Sequence, residues 1–163
     1  MLLNPELLSA LNKQLNQELR NAYLYLAMAA YFDGLSLEGF AHYFKVQARE
    51  EVEHALKIYQ FIVDRGQRVE LDNVVLEKKN WSSVLEAVRD FYEAEKSNTQ
   101  RIWSLVDLAR RTGDKAAEAF LQWFVNEQVE EEKSAMDLLA KVEMLKDNVV
   151  GILNLDRILA ERK

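Results

Sequence analysis

Helix-breaking residues stand at so few points in this chain that long helices are the only regular structure it can build. It has one proline and five glycines in 163 residues, and these are the residues that cost most inside a helix. Where they fall, capping residues fall beside them. Asn4 can cap a helix whose first position is Pro5, a ring-fixed φ that suits helix entry. Gly34 can close that helix and Ser36 can cap the next. Gly66 follows a second periodic run. Ser82 or Ser83 opens a third, Gly113 closes it, and Asp114 caps a fourth. Asn148 starts a short fifth segment, VVGILNLDRILAERK. The pattern predicts helices at 5–33, 37–65, 82–112, 114–144 and 148–160.

The connections constrain the topology. About three residues join helices one and two, and about three join helices three and four, so each pair reads as an antiparallel hairpin. The stretch from Gly66 to Trp81 is longer. A helix of about 28 residues is roughly 42 Å long, and about 15 extended residues reach roughly 50 Å. That connection can run the length of a bundle and set helix three parallel to helix two. The expected fold is all-α: a four-helix bundle over about 5–144 with one long crossover, plus a fifth helix over about 148–160, read as a single domain over 1–163.

A bundle helix shows its core at alternating steps of three and four residues. The first stripe reads Leu8, Leu11, Leu15, Glu18, Ala22, Tyr25, Ala29, Phe32, and the second Phe40, Phe44, Gln47, Glu51, His54, Ile58, Phe61. The third reads Val84, Val88, Phe91, Glu95, Asn98, Ile102, Leu105, and the fourth Ala117, Leu121, Phe124, Gln128, Glu131, Ala135, Leu138, Val142. Every stripe is apolar at both ends and polar in the middle. Glu18, Glu51, Glu95 and Gln128 each lie close to a helix midpoint, and midpoints meet whichever way a helix runs. Glu18, Glu51, His54, Glu95, Gln128 and Glu131 therefore converge in one layer at the bundle centre. A single polar residue in a seam is ordinary; four helices doing this at one depth is not.

An unpaired buried charge costs several kcal/mol even after relaxation. Two divalent cations would balance four carboxylates, with His54 neutral. Glu51 and His54, three apart on one helix face, can reach a single ion. Carboxylate with imidazole suits iron, manganese or zinc better than copper(I), and the absence of cysteine excludes thiolate ligands and disulfides. Off the stripe, Glu50, Glu53, Glu127, Glu130 and Glu132 read as a solvated acidic face, and His42 as a surface histidine. On pattern alone Tyr25 and Trp123 are packing aromatics, and Gln47 and Asn98 either brace the ligands of the layer or are plain polar packing.

Other classes are excluded. The formal net charge of −6 argues against nucleic acid as a main partner. No run of about 18 apolar residues is present to span a membrane. The opening MLLNPELLSA lacks a basic n-region and meets Asn4 and Pro5 early, unlike a signal peptide, so a cytoplasmic location is expected.

Glu18 and Glu95 as single glutamates, with Glu51-x-x-His54, match the di-iron carboxylate bundle pattern. The second Glu-x-x-His is altered to Gln128-x-x-Glu131. That departure, together with YLYLAMAAYF, Glu50-Glu51-x-x-His54, RGQRVEL and FLQWFVNEQVEEE, resembles the bacterial and archaeal non-haem ferritins over nearly the whole chain. The resemblance implies a ferroxidase that stores iron. One iron position would use Glu18, Glu51 and His54; a second would use Glu51, Glu95 and Glu131, with Gln128 nearby and Glu51 shared. It further implies a third iron site from Glu50, Glu127, Glu130 and Glu131, and a role for Tyr25 as electron donor beside the centre. Fe(II) would be oxidised by dioxygen or hydrogen peroxide, and the ferric mineral stored in a homo-oligomeric shell of 24 subunits. The histidine's second ring nitrogen should find an acceptor. A bacterioferritin would want a histidine where Glu131 stands and a haem-ligating methionine where Val52 stands, so no haem is expected. A rubrerythrin-like peroxidase or a di-iron oxygenase would carry two Glu-x-x-His motifs. The DNA-coating mini-ferritins lack a fifth helix. A scaffold bundle that fixes helix register needs one polar residue rather than six.

Overall fold

Asn4 opens the first helix: its Oδ1 accepts from the amides of Glu6 and Leu7, with Pro5 at the helix start. In the computed structural model, which describes residues 2–163, α1 covers Pro5–Gly34, α2 Glu38–Asp64, α3 Val84–Arg111, α4 Lys115–Leu145 and α5 Val149–Leu159. No strand occurs among the described residues. Ser83 caps α3 by accepting from the Glu86 amide, while the Glu86 carboxylate accepts from the Ser82 amide and hydroxyl. Asp114 and Asn148 cap α4 and α5 through the amides of Ala117 and Gly151.

The junction between α1 and α2 differs from expectation. Gly34 is the last residue of α1, and the left-handed residue is Ser36, with φ 60°. The Leu37 amide bonds back to the Phe32 carbonyl and the Ser36 amide to Asp33, which is the Schellman closure. Ser36 thus occupies the position that Gly66 and Gly113 fill, at φ 71° and 70°, after α2 and α3. It does not cap α2; Leu37 does so with no side-chain bond, and buries its side chain instead.

The crossover is tied along α1. Gln67 bonds to Leu3, Asn12 to both Arg68 and Glu70, and Asn16 to both Glu70 and Asp72. Trp81 then packs edge-on against Tyr31 near the far end of α1. The connection therefore traverses α1 from start to end, and α3 runs parallel to α2. The far ends of the helices agree: Arg111 pairs with Glu6, and Arg65 pairs with Asp114. This is the four-helix bundle with one long crossover, and α5 packs on α2 and on α4.

The core is divided in two. One apolar cluster gathers Tyr25, Met28, Phe32, Phe40, Phe44, Val88, Phe91, Leu138 and Val142. The other gathers Leu7, Leu11, Leu15, Ile58, Ile62, Ile102, Leu105, Leu121 and Phe124. Each large side chain fully buried contributes about 1.5–3 kcal/mol, and the two clusters together carry the polar layer between them. At the ends of the seam the phase drifts. Leu7 is fully buried where Leu8 was expected, and Ile62 where Phe61 was expected. A helix of 3.6 residues per turn walks off a strict 3.5 repeat. Phe61 instead stacks on Phe120, with centroids 4.1 Å apart.

Candidate metal centre

Six polar side chains from four helices face one another between the two apolar clusters. Glu18, Glu51, Glu95, His54, Gln128 and Glu131 are all at most 5% exposed. Their polar placement follows from the helix register. With each stripe apolar at both ends, a helix cannot turn its midpoint residues outward without exposing those ends.

The donors fall into overlapping groups. Glu18, Glu51 and His54 each offer one atom, all within 4.8 Å of one another; so do Glu51, Glu95 and Glu131; so do His54, Glu127 and Glu131. Oxygen and nitrogen donors about 2.0–2.2 Å from one ion lie at most about 4.4 Å apart, so small side-chain rotations suffice. Glu51 belongs to two of the three groups. In the first group His54 Nδ1 lies 3.7 Å from Glu18 Oε2 and 3.5 Å from Glu51 Oε2. All three atoms are buried without a hydrogen-bond partner. Buried polar atoms are otherwise almost always satisfied, so three orphans facing one point fit a cation between them.

The remaining oxygens are held. Tyr25 Oη donates to Glu95 Oε1 at 2.6 Å. Gln47 Nε2 donates to Glu131 Oε2 at 2.6 Å. Gln14 Nε2 donates to Glu18 Oε1 at 3.0 Å and to Asn98 Oδ1 at 2.8 Å. Gln128 Nε2 donates to Glu95 Oε2 at 3.3 Å and to Thr99 Oγ1 at 3.1 Å, while its Oε1 accepts from Asn98. Gln128 thus sits beside the donor groups and braces Glu95. The His54 ring is wedged edge-on between Trp123 and Phe124, which fixes its plane. Its Nε2 faces Glu127 Oε1 at 4.0 Å, too long for a direct hydrogen bond.

The electrostatics describe a layer short of positive charge. Burial, then repulsion from Glu18, Glu95 and Glu131, pushes the Glu51 carboxyl well above its ordinary range. Burial and Glu95 push Glu131 up to about 8. Burial and Glu18 push Glu95 up to about 7, against the lowering bonds from Tyr25 and Gln128. Burial would raise Glu18 too, but the neighbouring Glu51 and His54, with the bond from Gln14, outweigh it and hold that carboxyl low. Burial disfavours His54 protonation, yet Glu18 beside it raises its pKa overall. Burial, then the charges of Glu95 and Glu51, keep Tyr25 neutral and always a donor. Among protein groups alone, protons must stand where two divalent cations could. Metal binding in such a layer expels protons.

The other sequence-derived positions are spread more widely. Glu127 is partly buried and reaches the centre through the third group. Glu50 is partly buried, and its Oε2 is held at 3.1 Å by Arg162. Glu130 is exposed and joins none of the three groups. Glu132, read as solvated, accepts from Thr99 Oγ1. His42 is not a free surface histidine: it is half-buried, and its Nε2 lies 2.5 Å from the Arg162 carbonyl, because the chain end folds back over it. Gln14, Thr99 and Arg162 were not singled out by the sequence. Gln14 falls one position before the stripe residue Leu15, and Thr99 one after Asn98. The available signal was spacing: Gln14 stands four residues before Glu18, and Thr99 four after Glu95. Arg162 lies too far along the chain for any periodicity to place it.

The comparisons with known proteins agree with this geometry. The family model for the ferritin-like domain matches residues 8–145. The chain is 47% identical over 133 residues to a bacterial non-heme ferritin of Staphylococcus epidermidis, covering 82% of this chain and 80% of that one. It is 47% identical over 131 residues to that of Staphylococcus aureus, covering 80% and 79%. Among solved structures, an open pore ferritin from the archaeon Archaeoglobus fulgidus superposes with a TM-score of 0.97 at 42% identity over 99% of both chains. An engineered closed form of the Archaeoglobus fulgidus ferritin superposes equally well, covering 99% of this chain and 98% of that one. Agreement this close over the whole length, in a bundle that sets acids and one histidine into its own core, has one reading: the chain belongs to the ferritin-like domain family, with the bacterial and archaeal non-haem ferritins.

Proposed function

We propose that this protein stores and detoxifies iron: it oxidises Fe(II) at a two-iron centre within each chain and keeps the ferric product inside a cytoplasmic shell of 24 copies. Iron is the substrate. The observation that carries the reading is the meeting of Glu18 Oε2, Glu51 Oε2 and His54 Nδ1, three buried atoms without partners, beside a second group formed by Glu51, Glu95 and Glu131. Hard oxygen donors favour the ferric state, so the layer pulls oxidation forward. Each Fe(II) gives up one electron. Dioxygen that takes two electrons and two protons from solvent leaves as hydrogen peroxide; peroxide as the oxidant leaves as water. The second group contains no imidazole and holds iron less firmly, which suits turnover of the metal. Product would pass toward Glu127, Glu130 and Glu50, the third iron site in this reading. No haem is involved.

Assembly draws support from exposed apolar side chains. Tyr23, Leu26 and Val52 are among the residues that line an open apolar groove between α1 and α2, and α5 exposes Val149, Val150, Leu153 and Ile158. Patches of this kind mark contact surfaces. No helix among the described residues is long and apolar enough to cross a membrane.

The test is an anaerobic Fe(II) titration followed by oxygen, with Glu18→Ala beside the native protein. Native protein should oxidise roughly two Fe(II) per chain in a fast phase, and the variant should lose most of it. Equal, slow oxidation by both proteins overturns the proposal. Light scattering measures the assembly, and a dimer overturns the shell.

A further inference from the structure

Beyond α5 the chain turns back along α2. Gly39 meets α5 so closely that a Cβ there would fall 1.7 Å from the Asp156 carbonyl oxygen. Asp156 Oδ1 accepts from the Phe40 amide at 2.8 Å. Three residues past the end of α5, Arg162 lays its guanidinium over the Tyr43 ring, 4.2 Å from the centroid, and donates to the Tyr43 carbonyl at 3.1 Å. Its Nη2 donates to Gln47 Oε1 at 3.0 Å and to Glu50 Oε2 at 3.1 Å. Gln47 in turn donates through Nε2 to Glu131 Oε2 at 2.6 Å and to Glu51 Oε1 at 3.5 Å.

The order of these bonds is forced by chemistry. Arginine only donates, so the Gln47 oxygen must face it. The Gln47 amide nitrogen must then face Glu131 and Glu51, and its two donors orient the carboxylates. A flipped amide would set its NH₂ against the guanidinium and its oxygen against two acids. We infer that Arg162 is a positioning residue for the second metal position: through Gln47 it fixes the carboxylates of Glu131 and Glu51, and it holds Glu50 aside from them. This rests on the two-metal reading above. It gives the chain end a task inside its own subunit. The Glu18–His54 side of the centre touches this relay only through Glu51, by the longer 3.5 Å bond, so it should feel the loss far less.

The experiment is a Co²⁺ titration of the full chain without oxygen, followed by visible absorbance and calorimetry, on native protein, Arg162→Ala and Arg162→Lys. Native protein should bind in two steps. Arg162→Ala should weaken the second step by about tenfold, as loss of a partner that orients a ligand does, and weaken the first far less. Arg162→Lys restores charge beside Glu50, but it lacks the planar fork that spans Gln47, Glu50 and the Tyr43 carbonyl at once. It should recover only part of the loss. Circular dichroism confirms that each variant is folded, and Arg162→Lys carries the test should the alanine variant unfold. Identical second steps in all three proteins overturn the positioning role. So does equal weakening of both steps together with a lowered melting temperature, which marks a merely structural contact. A native protein that binds no Co²⁺ overturns the two-metal reading itself, a distinct result.

Discussion

Glu131→Gln tests whether the polar layer is built for cations. Glu131 is 5% exposed, and its carboxyl holds its proton to about pH 8 instead of the ordinary 4.5. A folded pKa raised above the unfolded one means stability is lost as pH rises from the unfolded value through the folded value. The loss is roughly 1.4 kcal/mol for each pH unit crossed, or about 4 kcal/mol at pH 8. Glutamine has the same shape and no charge, so it escapes that loss. It also exchanges the carboxyl acceptor of the Gln47 bond for an amide oxygen, which costs about 1 kcal/mol. The net gain for chelator-treated Glu131→Gln should be about 3 kcal/mol at pH 8 and close to zero at pH 5, where only the unfolded acid is largely ionised and the loss is about 1 kcal/mol. For a chain of this size that is a rise in melting temperature of about 5–10 °C at the higher pH. Thermal melts of both proteins from pH 5 to 8 measure it. Added Co²⁺ should reverse the order, stabilising native protein more than the variant, since only the native layer has the carboxylate to offer. Parallel pH profiles for the two proteins would refute the reasoning, because the acids would then carry no frustration for metal to relieve.

Two further substitutions probe the surroundings. Tyr25→Phe removes the 2.6 Å bond to Glu95 Oε1 inside a fully buried site. It should cost about 1–3 kcal/mol in urea unfolding and slow Fe(II) oxidation, and an unchanged oxidation rate would remove Tyr25 from the proposed chemistry. Ser36→Gly places glycine at the left-handed position that closes α1; relief of a left-handed penalty of about 1–2 kcal/mol, less glycine's entropy cost of about 0.4–1 kcal/mol, should stabilise by about 0.5–1 kcal/mol and raise the melting temperature by about 1–4 °C; no gain would mean that Ser36 is not strained.

Much of this molecule was legible from the residues alone, for a reason of spacing. Helix boundaries followed from Pro5, Gly66, Gly113 and the caps at Asn4, Ser83, Asp114 and Asn148, because φ limits and unpaired amides act locally. The crossover followed from reach. The central layer of Glu18, Glu51, His54, Glu95, Gln128 and Glu131 followed from a period that sets every fourth or third residue on one face, whatever the neighbouring helix does. Where local rules compete, the reading slipped. Ser36 took a glycine's left-handed conformation at the closure of α1, and Leu7 and Ile62 replaced Leu8 and Phe61 where the helical period drifts from the seam.

What the tertiary structure alone decided is which atoms are left over. Periodicity can turn Glu18 and His54 inward, but it cannot say that Gln14 takes one oxygen of Glu18 and leaves the other bare, or that Asn98 occupies the oxygen of Gln128. Nor can it bring Arg162 to Glu50 across more than a hundred residues of chain. Hydrogen bonds are made to whichever partner lies within about 3 Å. That depends on side-chain rotamers and on the docking of the fifth helix, which no repeat along the chain encodes.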